Sequence, residues 1–380
     1  MTRAYLDHGS ASPLRPAAME AMLPWLGSAD PGRVHTEGRI ARAALEEARE
    51  QVAAFLGTRP RQVVFTSGAT EAINAAVFGA VTRWLDAGNR GPRIVLAGVE
   101  HSAVREASER HAELRWLRVD GVGQIVPEEV IEAVSEAPTA LAHCQLANHE
   151  IGTVQRVAEV AAACREAGVL LHVDAAAGAG SLPIRFDELG ADFLSVSAPK
   201  LGGPRGCGAL LVRRGLRVPA LIVGGMQERA RRAGLEDVAA AVGFGATAAQ
   251  LAGGALEDES ARAAALLRKL RRTALSIDGV TPYGPDDESS RLPGLLCVGV
   301  AGVEAEPVLI GLDRAGVSAH SGSSCSSESL EPSPVLEAIG ADADHSLRFT
   351  AGWSTSEEDV RLASDALPEV IAKLRALGAG

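Results

Sequence analysis

Two short apolar runs, each leading to a residue that is costly to bury, mark residues 170–208 as the stretch around which the chain is organised. Val169, Leu170, Leu171 and Val173 lead to Asp174; Phe193, Leu194 and Val196 lead, through a turn of small residues, to Lys200. Apolar runs of this kind are what a parallel strand covered on both faces requires. In an open α/β sheet the ligand crevice lies outside the carboxyl ends of the strands, so both side chains are expected to project into one site. A buried lysine beside a buried carboxylate is expensive unless the pair has a task. Taken singly, each has a plainer reading, as a strand-end turn residue and an exposed lysine. Together, with Ala175, Ala176, Ala177 and Gly178 beside one and Ser197, Ala198, Gly202 and Gly203 beside the other, they leave room for a flat ligand. Pyridoxal 5'-phosphate matches that chemistry: its aldehyde forms a Schiff base with a lysine while an aspartate keeps its pyridine nitrogen protonated.

The rest of the chain sets bounds on that reading. Its 380 residues suffice for a large core and more than one domain. No apolar run is expected to be long enough to span a bilayer, and the start MTRAYLDHGS does not read as a signal peptide, so a soluble, cytoplasmic protein with no membrane partner is expected. The net charge of −11 argues against a nonspecific grip on nucleic acid, and no direct nucleic-acid partner is expected. The arginines at positions 229, 231 and 232 read as a solvated face. Five cysteines, an odd number without a CxxC pair, speak against a disulfide framework and a structural zinc site, and no metal is expected.

Read in order, the chain alternates strand and helix as an α/β sheet requires. In QVVFTSGATEAINAAVFGAV, a strand runs into a tight turn of Ser67, Gly68, Ala69 and Thr70 and then a helix. A helix start offers unpaired N–H groups and a positive dipole end that suit a phosphate, and Thr70 adds a hydroxyl. Ser and Thr also cap helices everywhere, so this turn gains weight only from Asp174 and Lys200. His101 ends the strand RIVLAG, where it either caps the next helix or stacks on a cofactor ring and shuttles protons. Asn148 closes LAHCQLA, where it either bonds a ring substituent or closes a turn. Beyond the Lys200 turn, GALLVRR and PALIVGG both read as strands, and an alanine-rich helix runs to about residue 276.

A smaller domain follows, and it brings a second kind of chemistry. In the loop SAHSGSSCSSESLEPS, Cys325 is flanked by Ser and Gly, as neither a core residue nor a ligand cluster would be. The thiolate is the nucleophile, so such a thiol reacts where a positive group lowers its pKa; the plainer alternative is a free surface thiol. Arg348, in the strand SLRFT, is a candidate clamp for a substrate carboxylate, with a two-pronged geometry that lysine lacks.

In this order the motifs YLDH, VFTSGATE, EH, NHEIG, HVDA, SVSAPK, GGPRGCGAL, the GG-x-QER run and SGSSCSS resemble the cysteine desulfurases of the NifS/IscS type, in the class V aminotransferase group. The resemblance covers nearly the whole chain. It implies an α/β protein of PLP-dependent transferase fold type I. A large domain at residues 13–255 would hold the mostly parallel sheet flanked by helices. A smaller α+β domain, from residues 1–12 and 256–380, would carry the cysteine loop. Carried over residue by residue, the resemblance makes Lys200 the Schiff-base lysine, Asp174 the ring-nitrogen partner and His101 the stacking, proton-transferring imidazole. It makes Thr70, with the neighbouring Ala69, and Ser197 the phosphate site, Asn148 a cofactor and substrate contact, Arg348 the carboxylate clamp, and Cys325 the sulfur acceptor. The implied activity removes sulfur from L-cysteine, giving L-alanine and a persulfide on Cys325 for an acceptor protein, in a homodimer. Iron–sulfur assembly, tRNA thiolation and DNA phosphorothioation all begin this way.

Four positions depart from the pattern, each where the family usually keeps a polar group: Pro199 for histidine, Ala177 for glutamine, Leu235 for threonine and Trp353 for arginine. They predict a weaker hold on the cofactor unless other groups substitute. They also keep open another class V reaction, such as a selenocysteine lyase or an aminotransferase, and a non-catalytic sulfur-transfer scaffold.

Overall fold

In the computed structural model, residues 3–322 and 333–378 are described. Their strands are β1 (Ala4–Tyr5), β2 (Val63–Thr66), β3 (Arg93–Ala97), β4 (Glu113–Leu117), β5 (Leu141–Gln145), β6 (Leu170–Asp174), β7 (Phe193–Ser197), β8 (Gly208–Val212), β9 (Val280–Tyr283), β10 (Leu295–Val300), β11 (Val317–Ser318), β12 (His320–Ser321) and β13 (Ser346–Thr350). Seven form the main sheet, in the order β2-β8-β7-β6-β5-β3-β4. β8 runs antiparallel to β2 and β7, and the other pairs are parallel.

The apolar runs behave as doubly covered strands. Leu141, Phe193 and Leu210 pack on one face against Ile73, Val77 and Val104 of the helices Ala69–Asp86 and Ser102–His111. Ala142, Cys144, Leu171, Val173 and Leu194 pack on the other, in a core shared with the helices Thr36–Phe55 and Val157–Ala167. PALIVGG is not a strand: the segment is loop and turn, and no strand pairs with it among the described residues. Ile222 and Val223 stay exposed in a loop instead.

A second core lies against the four-stranded sheet β12-β13-β10-β9. Leu266 and Leu270 of the helix Leu256–Leu275 and Leu367 and Ile371 of the helix Glu357–Gly378 fill it, with Ala4 and Leu6 from the start of the chain. The N-terminal segment joins this unit because β1 pairs in parallel with β11.

The expectation that no apolar run could span a bilayer needs one correction. The continuous helical stretch Val238–Leu275 is long and apolar enough by length and composition. More than half of its apolar window is buried within the protein. Ala240, Ala241, Phe244 and Ala248 lie in the large core, which accounts for the composition.

Candidate active site

Strand register arranges three layers at the carboxyl ends of β5, β6 and β7. Side chains two residues apart share a face, so Leu141, His143 and Gln145 stack along β5 beside Leu170, His172 and Asp174 of β6. Asp174 lies beside Ser195 of β7, with Ser197 one step further out. The apolar layer anchors the strands; Gln145, Asp174 and Ser197 reach a cavity of about 360 Å³. A pocket of this size suits a small molecule.

One wall of the cavity is the turn of Ser67, Gly68, Ala69 and Thr70. No side chain caps the helix that starts there, so its first N–H groups and positive dipole end face the cavity. The turn depends on glycine at two places. Gly68 has φ 156°; a Cβ on Gly208 would lie 2.6 Å from the Val196 carbonyl oxygen and 2.8 Å from the Gly68 Cα. Glu71 ties the turn down, accepting from Ser67 N–H at 2.8 Å and from Arg232 at 2.9 Å. Arg231 donates to the Val63 carbonyl. The basic run at 229–232 is therefore not simply a solvated face: two of its members brace the strand and turn beside the cavity.

Lys200 lies in the turn Ala198–Leu201 that follows β7 and lines the cavity. Its ammonium donates to the Gly9 carbonyl, which brings the N-terminal segment over the site. His101 caps its helix, accepting from Ala103 N–H at 3.1 Å, and its ring still lines the cavity. The capping role therefore does not take the His101 ring away from the cavity. His149 meets it edge to face at 5.1 Å between ring centroids.

Arg348 on β13 is fully buried and lines the same cavity. It donates to Asp7 at 3.0 Å, to Ser10 at 2.9 Å and to the His149 carbonyl at 3.0 Å, while its buried Nε has no partner among the described residues. Cys325 lies outside the described residues, but both ends of its loop are placed. His320 sits opposite Arg348 in the β12–β13 pair, and Ser333 donates to Glu150, next to His149. Cys325 is three residues beyond Gly322, a reach of about 10 Å of extended chain.

Among the described residues, Asn148 is the one predicted site residue that the structure does not bring to the cavity wall. It is fully buried; its amide donates to the Val99 carbonyl at 3.1 Å and accepts from the N–H groups of Glu150 and Ile151 at 2.8 and 2.9 Å. These bonds close the turn that carries His149. Ala177 and Pro199 line the cavity without adding a polar side-chain group, and Leu235 is exposed. Trp353 donates to the Pro13 carbonyl at 2.9 Å and lies under the Arg15 guanidinium, so it braces the N-terminal segment.

Gln145, His149, Gly9 and Ser10 also line the cavity and were missed from sequence. The signal for His149 was its place in the NHEIG stretch that follows the strand LAHCQLA. The four described cysteines are all buried. Burial pushes the thiols of Cys164, Cys207 and Cys297 up to about 12, and Cys144 well above its ordinary value. None of the four offers a thiolate near neutral pH.

The family model for class-V aminotransferases matches residues 4–362. The chain belongs to the class-V aminotransferases. Within this pyridoxal-phosphate family it is 39% identical to the cysteine desulfurase IscS of Dictyoglomus turgidum, over 98% of this chain and 95% of that one. It is 40% identical to the IscS-like cysteine desulfurase of Mycobacterium tuberculosis, over 98% and 97% of the two chains. Among solved structures it is similar to a NifS-like protein, with a TM-score of 0.89 and 28% identity over 98% and 100% of the chains. It is also similar to SspA in complex with cysteine, with a TM-score of 0.79 and 27% identity over 92% and 99%. The chain is an enzyme of this family, with the α/β architecture of fold type I.

The site also fits the family's cofactor. An uncapped helix start for a phosphate, a carboxylate in the wall, an imidazole and a lysine surround one cavity.

Glu100, just before His101, is fully buried. It accepts from Gln145 N–H at 2.8 Å, and its other oxygen has no partner among the described residues. Burial, helped by the nearby Asp174 charge, pushes its carboxyl up from 4.5 to about 8. Between those values folded Glu100 keeps a proton that the unfolded chain has released. The folded state then binds more protons, and stability falls as pH rises through the window. Urea unfolding at several pH values is expected to show this fall, on the order of a few kcal/mol, in wild type and not in Glu100→Gln. Parallel pH profiles for the two proteins would contradict it.

Proposed function

We propose that the protein is a cysteine desulfurase that takes sulfur from L-cysteine, releases L-alanine and carries the sulfur as a persulfide on Cys325. The carrying observation is that one cavity gathers Lys200, Asp174, His101, the 67–70 turn and Arg348, and that the residues before and after the Cys325 loop adjoin its lining: His320 pairs with Arg348, and Ser333 bonds Glu150, the neighbour of His149. The similarity to curated cysteine desulfurases supports the same reading.

Pyridoxal phosphate, when bound, supplies an aldehyde that bonds an amine and a ring that takes up electrons as substrate bonds break. The 67–70 turn and Ser197 would hold its phosphate, Asp174 its ring nitrogen, His101 its ring face and Lys200 its aldehyde carbon. Arg348, which lines the cavity, would hold the L-cysteine carboxylate. The Lys200 amine takes the proton from the substrate α-carbon. The Cys325 thiolate attacks the substrate sulfur; the carbon–sulfur bond breaks with its electrons left on the β-carbon, which is then protonated, and Lys200 returns a proton to the α-carbon. The balance is one L-cysteine and one thiol giving one L-alanine and one persulfide. An acceptor protein then discharges the persulfide.

We also infer a homodimer. Met19, Leu23 and Leu26 near the start, with Ile222, Val223, Met226 and Leu235 of the 222–235 loop, expose more large apolar side chains than isolated surface residues account for.

Alanine formed from L-cysteine, with added pyridoxal phosphate and a thiol reductant, tests the activity. Wild type is expected to form it. Cys325→Ser is expected to lose at least about 100-fold while still changing the cofactor spectrum when L-cysteine binds. Persulfide found by mass spectrometry on another cysteine would sink the assignment of Cys325. A folded, cofactor-saturated wild type that forms no alanine would mean that Pro199, Ala177, Leu235 and Trp353 have redirected the site.

A further inference from the structure

Beneath Asp174 runs a line of polar side chains that the reaction does not call upon. Ser108, on the helix Ser102–His111, lies 3.1 Å from His143 Nε2. His143 Nδ1 is 2.9 Å from His172 Nδ1, across the β5–β6 register. His172 Nε2 is 3.2 Å from Ser195 Oγ, which donates to Asp174 Oδ1 at 3.2 Å. All four lie within the protein, with relative exposures of 1% or less.

This arrangement has a polarity. Burial lowers the pKa of His172 to about 4 and that of His143 well below its ordinary value, so both rings are neutral at pH 7. Each neutral ring carries one N–H, and the short Nδ1–Nδ1 approach has room for one proton. If His143 holds it, His143 Nε2 accepts from Ser108. His172 must then carry its proton on Nε2 and donate to Ser195, whose hydroxyl is left to donate to Asp174. If His172 Nδ1 held the proton instead, His172 Nε2 would accept from Ser195 and take that donor away from the carboxylate. An acceptor-only carboxylate selects the first order. Other titratable groups around Asp174 are Glu100 from the turn after β3, Lys200 after β7, and His101 and His149 of the cavity wall.

We propose that Ser108, His143, His172 and Ser195 form a one-directional hydrogen-bond chain that positions Asp174 and holds it as the acceptor for the ring nitrogen of a bound pyridine cofactor. The inference rests on the reading of Asp174 as the ring-nitrogen partner. The four side chains are positioning residues: they act through Asp174 and touch neither cofactor nor substrate.

The test uses full-length protein labelled with ¹⁵N-histidine, examined by NMR with pyridoxal phosphate bound and after its removal. His143 is expected to be protonated on Nδ1 and His172 on Nε2 in both, with neither titrating between about pH 5.5 and 9. His143→Leu is expected to raise the cofactor dissociation constant roughly ten-fold. It is also expected to shift, by about half a unit or more, the pH at which the bound cofactor's visible band titrates. His143→Asn places an amide N–H close to where Nδ1 stands and is expected to restore both. The proton on His172 Nδ1, or an unchanged band titration and affinity in His143→Leu, would overturn the chain. Wild type that takes up no cofactor would remove the ring-nitrogen reading; the histidine tautomers would still decide the polarity.

Discussion

Glu228→Gln is expected to destabilise the protein by about 3–5 kcal/mol, because it leaves a buried guanidinium without its counter-charge. Arg49 and Glu228 are both buried and meet through two bonds, at 2.6 and 2.7 Å. Glu228 also accepts from the Phe65 N–H at 3.0 Å, and the Arg49 guanidinium lies over the Phe65 ring. The pair therefore ties the helix Thr36–Phe55, strand β2 and the 222–235 loop together, close to the 67–70 turn that follows β2. It also holds a strained segment: Glu228, Arg229 and Ala230 have φ values of 47°, 59° and 61°. Each such residue costs roughly 1–2 kcal/mol outside glycine. Glu46, 3.3 Å from Arg49 and partly exposed, takes up part of the lost charge, so the lower end of the range is expected. Urea unfolding of wild type, Glu228→Gln and the double change Arg49→Met with Glu228→Leu separates the terms. The double variant removes both charges and should be less destabilised than the single one. A single variant within about 0.5 kcal/mol of wild type would mean that the pair does not hold this loop.

This pair shows where sequence reading stops. Asp174 and Lys200 were legible because a strand covered on both faces leaves a contiguous apolar run, and its polar end residue must face the crevice. The 67–70 turn was legible from its glycine and the helix that follows. Contacts that depend on register or on distant segments left no local trace. Arg49 and Glu228 are 179 residues apart, and Asp7 and Arg348 are 341 apart. His143 and His172 meet only because β5 and β6 pair in one register. Asn148 shows the complementary error. A polar residue at a strand's carboxyl end was expected to face the site, but the N–H groups of the next turn needed an acceptor, and the side chain supplies it. His149, one residue on, faces the cavity instead. PALIVGG failed because an apolar run without a partner strand is not a strand: side chains read there as sheet residues, Ile222 and Val223, stay exposed in a loop.

Lys200→Ala separates the chemistry of the site from its architecture. Lys200 donates to the Gly9 carbonyl, and loss of one such bond costs about 1–3 kcal/mol, so the variant is expected to fold. On the proposed mechanism two roles vanish together: the amine that bonds the cofactor aldehyde and the base that takes the substrate α-proton. Loss of a positioned acid–base group alone lowers rates by about 10²–10⁴-fold. Alanine formation is therefore expected to fall by at least that factor, and the visible band of a lysine-bound aldehyde is expected to be absent. Cys325→Ser should give the opposite pairing, with the band present and responsive to L-cysteine while sulfur transfer is lost. The two variants would thus divide the proposed reaction at the sulfur step, with Lys200 acting before the carbon–sulfur bond breaks and Cys325 as it breaks. A Lys200→Ala protein that still forms alanine at more than about one hundredth of the wild-type rate would place the base elsewhere in the cavity. His101 and His149, whose rings meet beside it, would be the first groups to replace.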